Sequence, residues 1–127
     1  MFNVARVLSP SMRAALAGKF RAFNPRPLGD APRNFVARGE QIFQNGVPEA
    51  NVAACAACHG PDATGSEQIP RLAGQLYPYV VKVLANWSKE RDQNPANPDT
   101  STIMKPVAHS LTKPQIEAVA AYVNSLK

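Results

Sequence analysis

Two cysteines and a histidine fall within five consecutive positions, Cys55-Ala56-Ala57-Cys58-His59, with Gly60 directly after them. The chain has no other cysteine. A gap of two residues is too tight for a disulfide that staples a fold, so the motif has to be read as chemistry. On one turn of an incipient helix, the two thiols can each add to a different vinyl group of one haem. The adjacent imidazole can then reach the iron from the same face. Three readings compete with this one. A dithiol redox pair needs a strand, the motif and a helix in that order, and no strand pattern precedes residue 55. A zinc site needs four placed ligands, for which His109 is the only further strong candidate, and the adjacency of Cys58 and His59 strains a tetrahedral arrangement. The third is a chance match.

The rest of the chain bounds what such a motif can sit in. At 127 residues it supports one small domain, and its 12 prolines and 7 glycines call for short helices divided by loops. Nothing alternates with a period of two, and the long apolar periodicities are helical, so the expected class is all-α with three to five short helices. No stretch approaches the roughly 18 apolar residues that a membrane span requires. A core of a few short helices is marginal on its own, and a large apolar prosthetic group is one physical remedy.

The net charge of +5 is unevenly placed. Residues 1–34 carry Arg6, Arg13, Lys19, Arg21, Arg26 and Arg33 against Asp30 alone, and the remainder is neutral. A basic terminal segment without aromatic interleaving or a recognition motif gives no reason to expect nucleic-acid binding.

An iron that only carries electrons takes a second axial ligand, and methionine is the usual soft partner. Met104 lies in a polar, proline-marked stretch, Ser101-Thr102-Ile103-Met104-Lys105-Pro106, read as a loop whose side chain can fold over the haem edge. Its alternatives are a methionine that plugs the core, and His109 as the sixth ligand.

Three helices frame these residues. The first is expected over residues 34–45 with Phe35, Ile42 and Phe43 apolar, and with Gly39 leaving room for another helix to cross. The second is expected over 75–88, with Leu76, Val80, Val83, Leu84 and Trp87 at helical spacing and Pro78 harmless in the first turn. The last starts at a capping box, Thr112 to Gln115, and carries Ile116, Val119, Ala120, Val123 and Leu126 on one stripe. Phe43 and Tyr122 are expected to meet where the first and last of these helices cross.

With these residues in view, the chain resembles class I cytochromes c, and within them the cytochrome c4 and c5 group, over roughly residues 34–126. The resemblance rests on Gly39 with Phe43, on Cys55 to Gly60, on Ile69-Pro70-Arg71-Leu72-Ala73-Gly74-Gln75, and on Met104 followed by the final helix with Tyr122. It implies the class I cytochrome c fold around one haem c bound through Cys55 and Cys58, with His59 and Met104 as metal ligands. It further implies that the Pro70 carbonyl fixes the far nitrogen of His59, and that Gln75, Tyr77 and Arg91 lie at the haem edge or its propionates. The implied role is single-electron transfer, not enzymatic turnover. The carrier would run between a quinol-oxidising complex or dehydrogenase and a terminal oxidase or reductase, docking redox partners transiently at the haem edge. Its alternative is the electron-accepting subunit of a larger dehydrogenase.

The first thirty residues do not fit the start of such a domain. At an offset of 103, residues 1–9 parallel residues 104–112, with Met, Val, Ala and Leu repeated, and Leu16, Phe20 and Phe23 fall opposite Val119, Val123 and Leu126. Internal parallels of this kind signal tandem units. The expected organisation is a helical segment over 1–23, left from a preceding cytochrome domain, a proline-rich linker over 24–33, and the haem domain over 34–127. The alternative is an unrelated amphipathic helix, Met12, Leu16, Phe20 and Phe23, that covers the core or a partner. The chain shows no secretory leader. The resemblance implies haem attachment outside the cytoplasm, hence a periplasmic protein whose leader lies upstream or has been removed. Made as written, the chain is expected to stay in the cytosol without haem.

Overall fold

The computed structural model describes residues 6–23, 30–91 and 101–127. Most of the expected linker, and the start of the parallel with residues 104–112, lie outside these residues. Among the described residues the regular structure is helical, with isolated bridges between Val47 and Val52 and between Ser66 and Ile69. In chain order the α-helices are α1 (Pro10–Ala22), α2 (Val36–Asn45), α3 (Ala56–His59), α4 (Tyr77–Ala85), α5 (Trp87–Glu90), α6 (Ser101–Ser110) and α7 (Lys113–Ser125). Single 3-10 turns, Arg33–Phe35 and Pro48–Ala50, lead into α2 and follow it. None of these helices is long and apolar enough to cross a membrane.

The scaffold is the crossing of α2 over α7. A methyl group on Gly39 would overlap the Ala118 carbonyl and stand 2.7 Å from Tyr122 Cβ, so the glycine sets how closely the two backbones approach. That approach brings Phe43 and Tyr122 together as expected, with ring centroids 5.3 Å apart and planes inclined by 51°. Offset aromatic pairs of this kind add to the apolar area they bury. Helix α7 enters through Thr112, where Gln115 Oε1 accepts both the backbone N–H and the hydroxyl of Thr112 at 2.8 Å. Its expected stripe is buried from Ile116 to Val123, with Leu126 half-buried. Ala118, Ala121, Tyr122 and Asn124 are buried too, because α2, α4 and the loop after α3 enclose the helix from several sides.

Two expected elements take a different form. The helix predicted over 75–88 begins at Tyr77 and breaks at Asn86, where φ is −125° and ψ 32°. Asn86 turns its own amide back to the Lys82 carbonyl at 3.0 Å and starts the short α5, so Trp87 leaves the stripe of Val80 and Val83. The stretch 101–106, read as a loop because of Pro106, is the first half of α6. A proline disturbs only the turn before it, and its fixed φ suits the residues that follow. Pro106 stands inside α6 and lacks the N–H that would bond the Thr102 carbonyl, a loss of one bond that the helix tolerates. Met104 accordingly stands on a helix.

Helix α1 packs differently from all the others. Ser9 Oγ caps it by accepting from the Met12 N–H at 3.2 Å, and proline occupies its first position. Yet Met12, Leu16, Phe20 and Phe23 are between 42% and 66% exposed. Phe20 and Phe23 touch edge-to-face, with ring centroids 5.6 Å apart.

Candidate haem-binding site

Helix α3 is a single turn, and its length is the point. The His59 N–H bonds to the Cys55 carbonyl at 2.9 Å and the Gly60 N–H to the Ala56 carbonyl at 3.0 Å, so the motif is wound into one helical turn. Gly60 ends it at φ +80°, in the left-handed region open to glycine. Cys58 is exposed and Cys55 half-buried. Burial pushes the Cys55 thiol up to about 11, with the nearby Cys58 adding to the effect against a backbone hydrogen bond that lowers it.

His59 is 5% exposed, one of two buried polar side chains among the described residues, the other being Asn124. Its Nδ1 stands 2.9 Å from the Pro70 carbonyl oxygen. A carbonyl only accepts, so Nδ1 carries the proton and donates it, which leaves Nε2 as the nitrogen free to bind a metal. Two thiols on one turn, and a buried imidazole whose tautomer is already fixed, are the donor set that a covalently attached haem requires. Among the described residues no group of three or more His, Cys, Asp or Glu is placed to hold a metal ion.

Pro70 is held by the loop that joins α3 to α4. The Gly65 N–H returns to the His59 carbonyl at 2.9 Å. The Ala63 carbonyl accepts from both Leu72 N–H (2.8 Å) and Ala73 N–H (3.0 Å). Ala63 is fully buried and adopts φ +55°, a left-handed conformation that costs a residue with a side chain about 1 kcal/mol or more. The geometry that brings its carbonyl to the 70–75 segment maintains that strain.

The remaining predicted residues are spread around this centre. Gln75 uses its side-chain oxygen on the Leu76 N–H (3.0 Å), while its backbone carbonyl accepts from Asn124 Nδ2 (3.0 Å). Tyr77, at the start of α4, packs half-buried against the core, and burial, with the Glu117 carboxylate, raises its phenol above the usual 10. Arg91 donates to the Tyr79 hydroxyl at 2.9 Å and to the Glu90 carbonyl at 2.8 Å. Met104 is half-buried on α6. The start of that helix is tied to α5 by Trp87, whose indole N–H donates to the Ser101 carbonyl at 3.1 Å. His109 lies exposed near the other end of α6, its Nε2 3.0 Å from Ser88 Oγ, which makes it a partner for α5. The structure thus gathers Cys55, Cys58, His59 and Pro70 at one place and puts Met104 on a separate helix. Sequence reasoning did not single out Asn124 or the tie from Trp87 to Ser101. For Asn124 the signal was an amide directly after the apolar run from Ala118 to Val123.

The motif sits inside a segment that matches a family model described as cytochrome c, over residues 36–127. The chain belongs to the cytochrome c family. It therefore carries a haem c bound through Cys55 and Cys58. The chain is 35% identical over 127 residues to cytochrome c-552 of Acidithiobacillus ferridurans, a match covering 99% of this chain and 52% of that protein. It is 35% identical over 125 residues to a protein of Stutzerimonas stutzeri named thiosulfate dehydrogenase electron acceptor, covering 96% of this chain and 56% of that one. Among solved structures, cytochrome c4 of Acidithiobacillus ferrooxidans superposes with a TM-score of 0.80 at 34% identity, over 99% of this chain and 70% of that one. This cytochrome c chain spans about half the length of the curated relatives it matches.

Proposed function

We propose that this chain is a single-electron carrier in the periplasm, with its haem held six-coordinate by His59 and Met104. The observation that carries the reading is the buried His59, one residue from Cys58, with Nδ1 engaged by the Pro70 carbonyl and Nε2 free. When bound, the haem would supply one reversible electron, and His59 and Met104 are the side chains that would hold its iron. The chain's residues do the remainder. Cys55 and Cys58 fix the group covalently, and Pro70 makes the imidazole a stronger donor by drawing on its Nδ1 proton. Met104 contributes a soft thioether that raises the potential. Burial of His59 limits what reorganises when the charge changes. Gln75, Tyr77 and Arg91 serve as contacts at the haem edge. Arg91 can do so only by sharing its guanidinium with Tyr79.

The proposed donors are a quinol-oxidising complex or a dehydrogenase, and the proposed acceptors are a terminal oxidase or reductase. The neutral charge of the haem domain supports brief docking through an apolar rim in place of strong electrostatic steering. A second reading, an electron-accepting partner of one dehydrogenase, is favoured by the relative named for that role. Residues 1–23 are proposed to be the end of a preceding cytochrome domain. Supporting this, the match to cytochrome c-552 runs over 99% of the chain while covering 52% of that protein. An upstream coding sequence with a further C-x-x-C-H motif is the expected finding, and a gene without one removes that part of the proposal.

An ultraviolet–visible spectrum with a pyridine haemochrome assay tests the central claim on exported, matured protein. A c-type haemochrome and a weak band near 695 nm in the oxidised form are expected, the latter as the usual mark of methionine ligation in this family. A c-type spectrum without that band removes Met104. A colourless protein with two reactive thiols ends the proposal.

A further inference from the structure

The two buried polar side chains among the described residues, His59 and Asn124, both bond to one short strap, residues 70–75. His59 Nδ1 donates to its first carbonyl, at Pro70. Asn124 Nδ2 donates to its last, at Gln75, at 3.0 Å. Asn124 is 1% exposed, in the final turn of α7 and directly after the apolar run from Ala118 to Val123. An amide in such a place costs free energy unless it is paired, and an aliphatic side chain would serve the core better. A neighbouring bond makes the attachment two-pronged, since the Gly74 N–H donates to the Val123 carbonyl at 2.8 Å. Gly74 sits at φ +73°, the left-handed region that favours glycine. Between these ends the strap is pinned by the Ala63 carbonyl, which takes the Leu72 and Ala73 N–H groups.

We infer that Asn124 is a positioning residue for the axial imidazole. By holding the Gln75 end of the strap to α7, it sets where the Pro70 carbonyl meets His59 Nδ1. The inference rests on the reading of His59 as a haem ligand and adds a part to it. Its physical content is a lever. A shorter, straighter Nδ1–H···O bond gives the ring more imidazolate character and favours the oxidised metal, so loosening the strap favours the reduced form. The Pro70 carbonyl cannot be removed by a side-chain substitution, and the Gly74 to Val123 bond is likewise backbone to backbone, which leaves the Asn124 side chain as the α7 attachment that a substitution can delete.

The test compares wild-type holoprotein with Asn124→Leu, which keeps the branched shape and deletes the donor, and with Asn124→Ser, which keeps a shorter donor. In Asn124→Leu, exchange of the His59 Nδ1 proton, followed by NMR in the reduced protein, is expected to quicken roughly tenfold. At a fixed solution potential, the ratio of reduced to oxidised protein is expected to rise roughly threefold, with Asn124→Ser intermediate in both. A lower melting temperature with exchange and redox ratio as in wild type would overturn the inference, because a merely structural asparagine gives that pattern. If the leucine variant does not fold, the wild type still decides. The Asn124 amide protons and the His59 Nδ1 proton should exchange with the same opening free energy as denaturant is added, and rates that respond independently overturn the strap as a unit. Failure of the haem reading itself looks different, since wild-type protein would then give no c-type haemochrome.

Discussion

Helices α1 and α7 occupy the same thirteen-residue frame, 103 positions apart, and meet opposite fates. Each begins after a hydroxyl residue, Ser9 or Thr112, and each has proline in its first two positions. In α7 every residue from Ala118 to Asn124 is buried, whereas no described side chain of α1 is. Gly39 shows why. It lets α2 close on α7 at Ala118 and Tyr122, while Gly18 in the middle of α1 has nothing within 4 Å of where a methyl group would stand. Local signals make a helix, and a crossing partner makes it part of a core.

Several measurements would break or sharpen this contrast. The largest effect belongs to the motif that anchors the core and has no counterpart in residues 1–23. Replacing both Cys55 and Cys58 by alanine is expected to abolish covalent haem, scored by acid extraction and the haemochrome, whereas changes in α1 leave haem content unaltered. Next comes the glycine pair. Gly39→Ala is expected to cost about 3 kcal/mol, because backbone must move to admit the methyl group, and Gly18→Ala is expected to be neutral or to stabilise by up to about 1 kcal/mol. Thermal melts of the two variants check this, and equal losses would mean that α1 packs as α7 does. In the same assay Phe43→Ala should cost about 3–5 kcal/mol and Phe20→Ala less than about 0.5. Trp87→Phe is smaller. It releases the Ser101 carbonyl at the start of α6 for about 1 kcal/mol, and the 695 nm band should be lost at a lower temperature than in wild type.

The smallest effect is one of pH. In haem-free chain, exposed Cys58 should alkylate before Cys55, whose modification should gain speed only as pH climbs toward 11. The sign follows from linkage. A thiol raised from 9.0 to about 11 by folding stays neutral while the unfolded chain ionises, so its contribution to stability declines between those values as pH rises. Mass spectrometry of partially alkylated protein reads the order directly.

Much of this was legible in the residues. The motif at 55–59 pointed to haem attachment, because two thiols on one turn with a histidine beside them suit that chemistry better than a dithiol redox pair or a zinc site. The crossing of the first and last helices of the haem domain was legible from Gly39, Phe43 and Tyr122, and the start of α7 from Thr112 and Gln115. The misreadings have a shared cause. The stretch 101–106 was read as a loop because of Pro106, whereas it is helical with the proline inside the helix. Asn86 was taken as helical because apolar spacing continued past it, whereas its amide competes for the Lys82 carbonyl and closes the turn there.

By itself, then, the sequence determined the chemistry and the local elements: which thiols and imidazole act together, which segments coil, and that residues 1–23 echo the chain's own end. Tertiary structure decided which of two equivalent helices is enclosed, and it bound two distant polar side chains, His59 and Asn124, to opposite ends of one strap. The reason is that spacing along a chain encodes periodicity and reactive groups, whereas burial and a hydrogen bond across 49 residues exist only once separate elements have closed on each other.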